Sequence, residues 1–108
     1  MRPAMGAESG KDWGTFFRMK LFVARGELNS RLAVDTVERV CQKYLASRYS
    51  LEILDVLEDY RPAMEENVLV VPTLIVYEPP PPIRLVGPLS DPATLLKVLG
   101  IPVAESWP

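Results

Sequence analysis

At 108 residues the chain is long enough for one domain with a modest core and too short for two. Its composition, 48% hydrophobic and 24% charged, is that of a globular protein, and a net charge of −2 with scattered basic residues offers no footprint for nucleic acid or an anionic membrane. With no histidine and a single cysteine, Cys41, the chain lacks the commonest general base and metal ligand, and it can form neither an internal disulfide nor a Cys-x-x-Cys pair.

The remaining polar groups are carboxylates, lysines and hydroxyls in no paired arrangement, so the sequence predicts no catalytic residue, no metal site and no cofactor. No apolar run approaches the roughly 18 residues of a membrane span, and no secretory apolar core appears. The sequence therefore predicts a cytoplasmic protein.

Residues 1–15 mix Gly, Pro, Ser and charge without a period and predict a flexible tail, in which Trp13 either docks on the body or stays exposed. From Phe16 the pattern becomes apolar, interrupted by Arg18 and Lys20, and predicts a strand to Val23. A helix follows, with Asn29 or Ser30 expected as its N-cap and Ala33, Val37, Val40 and Tyr44 forming one apolar face. Ser50–Val56 is the next strand, so the first half is a βαβ unit with a parallel pair.

The second half opens with a short helix over Pro62–Glu66, where Pro62 suits the first turn. Val68–Val71 lead to Pro72 and a β-branched strand, Thr73–Tyr77. Pro79–Pro82 make a stiff hairpin tip, and Ile83–Val86 return antiparallel. A last helix runs from Asp91, a capping residue followed by Pro92, to Leu99, and Gly100 ends it. Residues 102–108 form a short tail. The order β-α-β-α-β-β-α is that of a thioredoxin-like α/β fold, here over 16–101.

In such a fold Pro72 sits beside the loop that carries the cysteines of redox thioredoxins, and its peptide bond is open to either isomer. That loop here reads Ala24-Arg25-Gly26-Glu27-Leu28 and holds no thiol. Cys41 falls at the edge of the helix's apolar face and is expected in or beside the core. The acidic residues Glu58, Asp59, Glu65 and Glu66 match no calcium-loop spacing and are expected on a solvated face.

Several segments, taken in order, carry a family likeness: Lys20–Ala24 with Asn29-Ser30, Asp55-Val56-Leu57, Glu65-Glu66, Pro72-Thr73-Leu74, the proline run with Ile83-Arg84, and Gly87 with Leu89-Ser90. The chain resembles the KaiB family of clock-associated proteins from about Phe17 to Leu99. The resemblance implies a non-catalytic binder of a KaiC-type ATPase that modulates its phosphorylation cycle. It places partner contacts at Glu52, Glu65, Asn67, Pro72 and Arg84. It also implies a second, rearranged fold of the C-terminal half, with Pro72, Gly87 and Pro88 in the switching region, and a homo-oligomer (dimer or tetramer). Glu52 and Asn67 stand where the family usually has basic residues, and Pro88 stands where it has an acidic one. Two other readings remain at this point: a residual thioredoxin-superfamily oxidoreductase working through Cys41, and a module that contacts a histidine kinase in trans.

Overall fold

The computed structural model describes residues 15–101. The predicted tails, with Trp13, lie outside the described residues except for Thr15. Four strands form one sheet in the order β2-β1-β3-β4, where β1 is Phe17–Val23, β2 Tyr49–Asp55, β3 Thr73–Glu78 and β4 Ile83–Val86. The β1–β2 pair is parallel, and β3 runs antiparallel to both β1 and β4. This is the thioredoxin-like mixed sheet that the element order predicts.

Helix α1, Leu28–Val40, crosses from β1 to β2 and continues as a π-helical turn over Cys41–Leu45. Its cap differs from the expected one. Glu27 caps it, its Oε1 accepting the Ser30 N–H at 2.9 Å. Ser30 is turned inward and buried, and its hydroxyl accepts the Ala24 N–H at 3.0 Å. The serine is thus engaged by the β1–α1 loop, and the glutamate one turn earlier takes the helix end.

Helix α2, Arg61–Glu65, holds Pro62 in its first turn, and α3, Pro92–Leu99, ends the described chain. Asp91 caps α3 by accepting the Ala93 N–H at 3.2 Å, and Gly100 closes it at φ 78°, both as the sequence predicts.

Alternation along β1 separates two cores. Phe17, Met19, Leu21 and Val23 pack with Ala33, Val37, Val40, Cys41 and Leu45 from α1 and its π turn, and with Leu95, Leu96 and Leu99 of α3. On the other face Phe22 meets Ala63 of α2 and Ile75 of β3. One face thus carries two full helices and the other a single five-residue helix.

Candidate functional site: a sheet face and two ends of the fold

The face that carries α2 gathers the predicted contact residues by register. Lys20 pairs with Glu52 on one side and with Ile75 on the other, and Ile75 pairs with Arg84. Glu52, Lys20, Ile75 and Arg84 therefore form one row across all four strands on the same face. At about 4.8 Å per strand, the outer two backbones lie roughly 14 Å apart. Arg18 lies over the Tyr77 ring with its guanidinium 4.6 Å from the ring centre, and the Lys20 ammonium sits at 5.7 Å. Burial and the adjacent Glu66 carboxylate push the Tyr77 hydroxyl up to about 12, so the ring stays neutral at physiological pH.

Arg84 does more than extend the row. Its guanidinium donates to the Glu66 carbonyl and, at 3.4 Å, to the Asn67 carbonyl. It satisfies acceptors at the C-terminal end of α2. Asn67 holds φ 58°, a left-handed conformation that asparagine tolerates better than most residues. Glu65, the last residue of α2, is exposed. Pro72 is buried after a cis peptide, and its carbonyl accepts the Gly87 N–H at 2.9 Å. The structure thus brings Glu65, Asn67, Pro72, Arg84 and Gly87 to the β3–β4 side beside α2, whereas Pro88 lies with Leu85, Leu89 and the start of α3. Glu52 lies on the opposite outer strand, joined to them by the row. Tyr60, Met64, Leu69, Val70 and Val86, on the segments around this site, expose large apolar side chains, Leu69 by 92%.

Sequence reasoning missed a cleft of about 550 Å³ at the carboxyl ends of β1 and β2, where α1 and α2 depart to opposite faces. Such switch points are where open α/β sheets form crevices. Arg25 ties the mouth together: its Nε lies 3.2 Å from Asp55 and its Nη2 2.8 Å from Glu58. Asp55 also accepts the N–H groups of Arg25 and Leu57 at 3.2 and 3.0 Å. The signal was present, since Arg25 and Asp55 follow or end the two parallel strands. The acidic residues expected on one face are divided, with Glu58 paired to Arg25 and Asp59 to Arg61. Arg61 holds the Asp59 carboxyl below its usual range. Among the described residues no group of three or more His, Cys, Asp or Glu is placed to hold a metal ion, and no helix is long and apolar enough to cross a membrane.

Cys41 lies in the main core, as its helix position predicts, and is 1% exposed. Burial, and secondly the Glu38 charge, push its thiol up to about 12. At pH 8 roughly one thiol in ten thousand is then ionised, and the thiolate is the reactive form. Alkylation of Cys41 in the native protein is expected to run at least about a hundredfold slower than in urea, as read by mass spectrometry. The folded protein holds this proton more tightly than the unfolded chain. Its contribution to stability is therefore present below about pH 9 and lost as the pH rises towards 12.

A thioredoxin-like sheet with a thiol-free β1–α1 loop and a partly uncovered face defines a member of this fold built without the redox pair. Two solved structures share the fold: chloroplastic thioredoxin z (TM-score 0.68, 19% identity, 89% of this chain and 83% of that one) and the N-terminal domain of Synechococcus elongatus SasA (TM-score 0.62, 22% identity, 80% and 85%). The KaiB domain matches residues 20–101. The chain is 37% identical over 83 residues to the circadian clock protein KaiB3 of Synechocystis sp., covering 77% of this chain and 81% of that protein. It is also 37% identical over 73 residues to the circadian clock oscillator protein KaiB of a Prochlorococcus marinus strain, covering 68% of each. The chain belongs to the KaiB family.

Proposed function

We propose that the chain is a non-catalytic, cytoplasmic clock-type regulator that binds a KaiC-type ATPase and modulates its phosphorylation and ATPase cycle. The observation that carries this reading is the extent of the KaiB domain, 20–101, which contains the whole candidate surface. The docking elements are β2, α2 and the Pro72 turn, with Glu52, Glu65, Asn67, Pro72 and Arg84 in contact. The exposed apolar side chains around α2 suit the centre of such an interface, and the charged row suits its rim. On this reading the thioredoxin-like form is the binding form. Rearrangement through Pro72, Gly87 and Pro88 gives a second, self-associated state, which size-exclusion chromatography with and without the ATPase would reveal as a loss of oligomer on binding.

Glu52 decides the first test. Against an acidic patch on the ATPase a like charge costs up to several kcal/mol. Glu52→Lys is expected to tighten binding to the KaiC-type ATPase of the same organism at least about tenfold by calorimetry. Absence of binding by both forms would sink the partner assignment. Contact with a histidine kinase in trans is the neighbouring outcome, scored by the same titration with the kinase. The burial of Cys41 speaks against an oxidoreductase role.

A further inference from the structure

The cleft at the carboxyl ends of β1 and β2 opens on the face that carries α1, opposite the face of the charged row. Its floor is apolar and left open. Ile53 pairs in register with Leu21, which is fully buried, yet Ile53 itself is 39% exposed, and the partly buried Val34 of α1 lines the same floor. A volume of about 550 Å³ lies within the range of small-molecule sites. Most of the charges around it are already matched: Arg25 holds Asp55 and Glu58, and Asp35 is paired with Arg39 one turn along α1. Arg31 and Glu38 also line the cleft, are exposed, and make no ion pair among the described residues.

These two charges stand against the macrodipole of their own helix. Arg31 is in the first turn of Leu28–Val40, where an acidic group is favoured, and Glu38 is in the last, where a basic one is. Helix stability therefore does not account for them, whereas a ligand of the opposite polarity does. At about 1.5 Å of rise per residue they stand roughly 10 Å apart along the axis, the span of an extended peptide of about three residues. We propose that the cleft binds a small linear zwitterion, a free peptide of about three residues, with its carboxylate on Arg31, its ammonium at Glu38 and its apolar side chains over Val34 and Ile53. The helix dipole favours the same orientation, because its positive end faces the carboxylate. None of these four residues is among the partner contacts of the proposed function, so the site stands or falls separately from the KaiC-type assignment.

The probe is the free tripeptide Ala-Val-Ala, titrated to millimolar concentration into the full chain and followed by NMR shifts of the amides of 25–38 and the methyl groups of Ile53. Saturable shifts at these positions are expected. Acetylating the peptide's amino end, or converting its carboxyl end to the amide, is expected to weaken binding about threefold in each case, the scale of a solvent-exposed ion pair. Arg31→Gln is expected to erase the difference between the acid and the amide while keeping that between the free and the acetylated peptide. Glu38→Gln is expected to do the reverse. Both residues are exposed and glutamine suits a helix, so each variant keeps the fold. The absence of saturable shifts in the cleft overturns the proposal, and so does binding that is indifferent to both end caps.

Discussion

Replacing Phe22 by alanine is expected to cost about 3–5 kcal/mol and to release α2 from the sheet. Phe22 is fully buried with Ala63 and Ile75, and Leu54, Val56, Val68, Val71 and Tyr77 pack against this cluster. Removing the ring leaves a cavity among these side chains, and the volume that they do not refill sets the cost within the range for such changes. A helix of five residues has no stability of its own in water. Contact of Ala63 with this ring is what keeps Arg61–Glu65 helical and holds Glu65, Asn67 and the Arg84 acceptors in place. Urea unfolding measures the loss, and amide exchange at Val68, whose N–H bonds to the Ala63 carbonyl at 2.8 Å, shows where it acts. A loss below about 1 kcal/mol with unchanged protection at Val68 would show that α2 is held by something else.

Gly87→Ala is the second large effect, of about 1–3 kcal/mol, and its cause is different. At φ 111° a side chain other than glycine's is strained, although a Cβ there would meet no atom within 4 Å. The whole cost is therefore conformational. It falls on the residue whose N–H bonds to the Pro72 carbonyl, so the Pro72 turn loosens with it. Thermal unfolding gives the size. D-alanine at the same position, introduced by semisynthesis, should restore stability because its mirror-image Cβ suits positive φ. If D-alanine is as harmful as L-alanine, the backbone account is wrong.

What the sequence makes legible here is local. Alternation and β-branching mark the strands to within a residue or two, and Asp91-Pro92 with Gly100 bracket α3 because caps act over a single turn. Three features escaped for non-local reasons. Ser30 is a good capping residue by type, but its burial against the β1–α1 loop gave the cap to Glu27. The π turn at Cys41–Leu45 keeps an apolar pattern that also suits an α-helix, so periodicity does not separate the two. Most telling is the alignment of Glu52 with Arg84, which are 32 positions apart in the chain. That alignment follows from three strand registers, and each register is settled by which face finds the core. The resemblance named those residues, but their common row is legible in the folded sheet alone.

The central strand β1 also divides the molecule's labour. Its ladder to β2 runs unbroken over seven pairs, while its ladder to β3 shifts register between Arg18 and Met19. A bulge of this kind interrupts pairing and sharpens twist. The stretch 17–55 therefore owns a complete strand–helix–strand unit with its own hydrogen bonds. The stretch from β3 onward is stitched to it along an interrupted seam. The two share the main hydrophobic core, yet no hydrogen bond within the first unit depends on how the second is arranged. The first unit thus closes its own strand ladder, and the Pro72–Leu99 half joins it across the interrupted β1–β3 seam while completing its core with Leu74, Val76, Leu95, Leu96 and Leu99.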